Sequence, residues 1–101
     1  MIVADSTAAR VLFETNLPPR YYLPRSDVRM ELLAPSELRT ACTYKGRAKY
    51  FSLPGKENVA WSYEKPLADA RDVGSYVCFF NERVDVIVDG VLGERPVTPW
   101  S

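Results

Sequence analysis

A small antiparallel all-β domain is the fold class this sequence predicts. Its form would be seven to eight short strands in two sheets, with one short helix near residues 67–73. Three observations lead there. The apolar residues fall in short runs that alternate with polar ones, the period of a strand with one buried face. The eight prolines and five glycines sit between those runs as turn punctuation. Only one stretch reads as a helix.

In Arg10–Thr15, Val11, Phe13 and Thr15 point one way and Arg10, Leu12 and Glu14 the other, as in a strand. Leu17-Pro18-Pro19 ends it, because neither proline can donate to a ladder. Tyr21-Tyr22-Leu23 is a short aromatic strand closed by Pro24, and Ser26 and Asp27 belong to a turn. Val28–Leu33 alternates again, Val28, Met30 and Leu32 opposing Arg29 and Glu31. Pro35–Arg39 reads as one helical turn at most.

Arg47–Leu53 and Val59–Tyr63 are expected to pair antiparallel across a five-residue loop, Pro54–Asn58. Leu67–Val73 is the helix candidate, with good helix formers and Asp69 in its first turn. Ser75–Phe80 and Val84–Val88 read as strands joined by Asn81-Glu82-Arg83. Asp89-Gly90 is a strong two-residue hairpin signal, because a type I′ turn needs positive φ at both positions, and Val91-Leu92 returns from it. Residues 93–101 form an irregular tail that Trp100 would dock. The 101 residues make one domain.

Thirteen Lys and Arg cancel thirteen Asp and Glu, so net charge gives no reason to expect nucleic acid or an anionic membrane as partner. Histidine is absent, which removes Ser-His-Asp and Cys-His catalysis, histidine metal sites and histidine pH switching together. Cys42 and Cys78 are too few for a zinc site and are expected to be reduced thiols. No apolar run approaches a membrane span, and the N-terminus lacks the basic and apolar regions of a signal peptide, so a cytoplasmic protein without metal or cofactor is expected.

The residues able to carry chemistry are few. Residues 39–49 hold Arg39, Lys45, Arg47 and Lys49 with no acid, interleaved with Tyr44 and flanked by Tyr50 and Phe51. Cations beside rings suit an anion attached to a planar group, although basic residues also guard a solvated strand edge. Trp61 and Tyr63 lie two apart on a strand and share a face; with Tyr22 they form either a core of large rings or the wall of a pocket. Glu14, placed in an apolar strand, needs a partner such as Arg10 or Arg29, or a role as general base. Cys42 lies three residues before Lys45, whose cation would favour its thiolate.

Four stretches, VADS, LPPRYYLPRSDVRMELL, CTYKGRAKYFSL and AWSYEKPLADA, in this order and spacing, resemble the bacterial domain of unknown function 427 family. The family's ADS, PxxYYxPxxDV, C-x-YKG-x-A-x-Y and AWxY-x-x-P segments correspond to Ala4–Ser6, Pro19–Val28, Cys42–Tyr50 and Ala60–Pro66, and the resemblance covers about residues 3 to 90. Two departures stand out. Relatives usually carry a further strand before the ADS stretch, whose lack here would leave a sheet edge open to the tail or to a second chain. Thr43 stands where relatives often have proline.

The resemblance implies a tent-like architecture of two sheets meeting at a steep angle, shared with zinc-pinned domains and type B methionine sulfoxide reductases, here in a metal-free version. It also brings a nucleotidyltransferase label. The residues do not carry that label, since no Gly-Ser turn precedes a close pair of aspartates.

Two functional expectations follow. The first is a binding module for a small polar or anionic ligand, in a cleft lined by Tyr22, Trp61 and Tyr63, with Lys45 and Arg29 fixing the polar group. The second is a small enzyme acting on a nucleotide-like or phosphorylated substrate, with Glu14 as base, Lys45 as electrostatic stabiliser and Cys42 as nucleophile or redox thiol. A homodimer through the uncovered sheet edge is the expected partner, if any.

Overall fold

The computed structural model describes residues 1–101 and is mostly β. Eight strands occur in chain order: β1 Arg10–Leu12, β2 Arg20–Leu23, β3 Ala34–Cys42, β4 Gly46–Leu53, β5 Lys56–Ser62, β6 Val77–Phe79, β7 Ile87–Val88 and β8 Val91–Leu92. The first six form one antiparallel sheet in the order β1-β2-β6-β5-β4-β3, and β7 and β8 form a separate hairpin. The predicted class holds, with two sheets of unequal size.

Strand alternation gives the large sheet two buried faces. On one lie Tyr22, Ala48, Trp61, Cys78 and Phe80, joined by Tyr63 and covered by Ala70 and Val73 of a 3-10 helix over Ala68–Val73. On the other lie Phe51, Ala60 and Val77, covered by Val28 and Leu33. Register explains the division. Ala60 pairs with Phe51 and with Phe79, while Trp61 pairs with Tyr50 and with Cys78, so each rung commits its side chains to one face.

Several elements differ from the sequence expectation. Val28–Leu33 is no strand: 3-10 turns run over Arg25–Asp27 and Met30–Leu32, and Val28 alone makes a bridge, to Ala4. The alternation there misleads because Val28 and Leu33, not Val28 and Leu32, are the buried residues of the segment. Pro35–Arg39 is strand, the bulged first half of β3; an edge position tolerates Pro35, and the register shifts between Pro35 and Arg39. The five-residue loop shrinks to Pro54-Gly55, because Lys56 already pairs with Leu53. β1 stops at Leu12, which leaves Glu14 in the following turn, where Leu17 N–H donates to the Glu14 carbonyl (3.2 Å). Leu67–Val73 is helical as expected, but wound as 3-10 over six residues.

The family-like stretches meet one another. Ser6 Oγ donates to Asp27 (2.6 Å), and Arg25 forks onto both Glu64 oxygens (3.0 and 3.1 Å). Trp61 Nε1 donates to the Tyr22 hydroxyl (3.1 Å). Three of the four stretches are thus joined by contacts among the N-terminal segment, β2 with the turn after it, and β5 with the residues after it.

Candidate functional site

The site is built on the tip between β3 and β4. Cys42 pairs with Gly46 and encloses Thr43-Tyr44-Lys45. Gly46 has φ of 110°, and a Cβ there would stand 3.0 Å from the Lys65 carbonyl oxygen, so conformation and space both require glycine. The tip is fastened to the start of the 3-10 helix: Leu67 N–H donates to the Lys45 carbonyl (2.9 Å) and Asp69 N–H to that of Tyr44 (3.3 Å). That anchorage holds the Lys45 backbone while its side chain forms an ion pair with Glu14. The Lys45 side chain is 17% exposed and that of Glu14 32%, so the pair is shielded but reachable.

Cys42 and Thr40 share the face of Ala48, which is part of the aromatic cluster. Thr40 Oγ1 and the Tyr50 hydroxyl lie 2.9 Å apart. Tyr63 is buried below, its phenol pushed up to about 12 by burial first, then by the nearby Cys42, Tyr50 and Glu14, all of which resist a new negative charge. The Tyr22 phenol is also raised, chiefly by burial, with Cys78 and Tyr63 adding to it. Both phenols are therefore protonated donors at neutral pH. Burial likewise raises the Cys78 thiol; Cys78 and Cys42 are free thiols, the first buried and the second half-buried.

The structure thus brings together Glu14, Cys42, Lys45, Tyr22 and Tyr63 on one side of the sheet. Glu14 pairs with Lys45 rather than Arg10 or Arg29. Arg29 is apart: it lies between the 3-10 turns that cover the opposite face and holds Glu31 through Nε (3.2 Å). The expected aromatic cleft is not formed. Tyr22, Trp61 and Tyr63 are all buried, packed as core. Trp61 lies edge-on to Tyr22 (6.1 Å) and 4.5 Å from Phe80, and Tyr22 stacks with Tyr63 (6.4 Å). Large rings gain more from closing on one another than from facing water, and here the Trp61 indole N–H and the Tyr22 hydroxyl satisfy each other.

Two grooves, of about 360 and about 390 Å³, lie elsewhere. One runs beneath the β7–β8 hairpin between Pro18, Pro19 and Tyr21 and Val86, Val88 and Val91; the other lies around Lys56, Arg83 and Arg95. Neither includes the Glu14–Lys45 pair.

Sequence reasoning missed a buried charge network. Arg20 donates to both Glu82 oxygens (2.5 and 2.9 Å) and to Asn81 (2.7 Å), while Thr98 Oγ1 donates to Glu82 (2.6 Å). Burial opposes ionisation of Glu82, yet the hydrogen bonds from Arg20 and Thr98 outweigh it and lower its pKa. The Arg20 guanidinium also lies over the Trp61 and Phe80 rings (5.4 and 5.5 Å). Arg20 was findable, since it alternates with Tyr22 and so shares its face. Glu82 lies in a connecting turn and gave no signal.

A family model described as Domain of unknown function (DUF427), labelled NTP_transf_9, matches residues 1–90. No curated protein matches the chain.

Proposed function

From the premise that this chain belongs to the DUF427 family, for which no activity is described, we propose that it is a binding module for a small polar ligand carrying an anionic group, held at Lys45 and Glu14. The observation that carries this reading is the anchored, partly shielded Lys45–Glu14 pair, flanked by Cys42 and underlain by Tyr63. Lys45 donates to the ligand's anion, and Glu14 accepts from a donor on the same ligand. A molecule with both an acidic and an amino or hydroxyl group suits the pair, because it replaces each half of the ion pair with a charge-assisted hydrogen bond. Tyr63, held protonated, is suited to donate a hydrogen bond to such a ligand; in the enzyme alternative Glu14, Lys45 and Cys42 would turn a substrate over.

A thermal-shift screen against nucleotides, sugar phosphates and amino-acid derivatives tests the reading. At a hundredfold excess over Kd a ligand stabilises by about 2.7 kcal/mol. The expected result is a hit that Lys45→Gln abolishes and Lys45→Arg retains in part. A hit unchanged in Lys45→Gln, or no hit in the panel, counts against it. A hit consumed over time moves the reading to the enzyme.

A further inference from the structure

We propose that the groove around Lys56, Arg83 and Arg95 is a second ligand site, one that takes a small molecule carrying a phosphate group. Three segments build it: Lys56, Glu57 and Val59 in the first half of β5, Glu82 and Arg83 in the turn after β6, and Arg95 and Ser101 in the tail. It encloses about 390 Å³, and buried Val59 belongs to its wall.

The charges of this groove are unbalanced. Lys56 and Arg83 make no ion pair within the chain, and Arg95 pairs only through Nε, with Asp85 (3.0 Å). Two acids also line the groove. Glu82 is already engaged by Arg20 and Thr98, which leaves Glu57 alone among three cations.

Arg83 is fixed before any ligand arrives. Its Nε donates to the Trp100 carbonyl (2.7 Å), and its Nη1 to the Asn58 and Glu57 carbonyls (3.0 and 3.4 Å). Its guanidinium lies over the Phe80 ring (4.8 Å). Carbonyls hold the group without neutralising it, and Nη2 has no partner in the chain. Such a guanidinium keeps its charge and loses little freedom on binding. Lys56 Nζ is tied to the same turn, donating to the Arg83 carbonyl (3.2 Å), and both Nη atoms of Arg95 are uncommitted. Donors from three segments suit the three terminal oxygens of a phosphate monoester, which carries a charge of about −1.5 to −2 at neutral pH. A carboxylate offers two oxygens and a single charge. The groove does not include Lys45 or Glu14, so the two sites are independent.

Nuclear magnetic resonance titrations of the isotope-labelled protein with inorganic phosphate, glycerol 3-phosphate and acetate test the proposal. Both phosphates are expected to shift the amides of Lys56–Val59, Arg83 and Arg95 saturably, and equally well in Lys45→Gln. Acetate is expected to bind about tenfold more weakly, since it forgoes a charge-assisted hydrogen bond. Arg83→Lys, which keeps the charge and loses the fork, should weaken phosphate binding about tenfold by the same reasoning. Because Arg83 also ties down the tail, the double variant Lys56→Gln with Arg95→Gln serves as a second test; it leaves the Arg83 contacts in place and is also expected to weaken binding about tenfold. No saturable shift at these amides, an unchanged affinity in the double variant, acetate binding as tightly as phosphate, or failure of glycerol 3-phosphate to bind would overturn the proposal. A phosphate response confined to Thr43–Gly46 and lost in Lys45→Gln would overturn it too, and would leave the Lys45 site standing.

Discussion

Trp61 packs between Tyr22, Phe80 and the Arg20 guanidinium and donates its indole N–H to Tyr22, so truncating it removes packing and a buried hydrogen bond together. Trp61→Ala is expected to cost about 3–5 kcal/mol, read as the loss in a urea titration. A ring lining an open cleft would cost far less. At this scale the sequence was informative about direction and silent about enclosure. Strand parity correctly put Trp61 with Tyr63. It could not say whether Ala70 and Val73 would arrive to cover those rings, because that depends on where the helix docks. Glu14 and Lys45 were both singled out, but their pairing joins residues 31 positions apart, which no local pattern encodes.

The β3–β4 tip shows how an element places a charge. Its geometry depends on Gly46 and on two carbonyls that accept from the 3-10 helix. Gly46→Ala forces a Cβ into a positive-φ position against the Lys65 carbonyl and is expected to cost about 1–3 kcal/mol. It should also displace Lys45, so ligand binding is lost by more than the stability change accounts for, measured as the thermal shift on ligand addition in a variant still folded. Elements with strong alternation or turn chemistry were legible: β4, most of β5 and the Asp89-Gly90 hairpin stand where their patterns put them. Elements ruled by long-range contact were not. The 25–33 segment winds into 3-10 turns because Ser6 engages Asp27 and the N-terminal backbone pairs with Val28. The tail is irregular, as its sequence predicts, and Trp100 helps hold it through its carbonyl, which accepts from Arg83 (2.7 Å), while Thr98 donates to Glu82.

Over the whole molecule, buried titratable groups set the pH window of stability. The folded-state pKa of Glu82 lies below its usual 4.5, so its contribution is present above about that pH and is lost as pH falls through the folded value. Tyr63 is raised from 10.0 to about 12, so its contribution is present below pH 10 and is lost as pH rises towards 12. Melting temperature should therefore fall at both ends, and Glu82→Gln should flatten the acid limb while lowering stability at neutral pH, because it leaves Arg20 buried without its counter-charge. Loss of one partner of such a pair costs about 3–5 kcal/mol. An acid limb as steep in Glu82→Gln as in the parent protein would contradict the assignment. Family membership was legible in four linked stretches of the sequence, and the family model matches residues 1–90, which contain all four; three of them touch one another in the fold, through Ser6–Asp27, Arg25–Glu64 and Trp61–Tyr22.

The central claim is that a ligand binds at Lys45 and Glu14, and the most direct measurement is a nuclear magnetic resonance titration of isotope-labelled protein with a sugar phosphate, a nucleoside monophosphate and an amino acid in turn. The account predicts that at least one of them saturably shifts the amides of Thr43–Gly46 and Glu14–Asn16, and that the shifts vanish in Lys45→Gln. Shifts confined to the groove between Pro18, Tyr21 and Val86, or no saturable shift with any of the three, would contradict it.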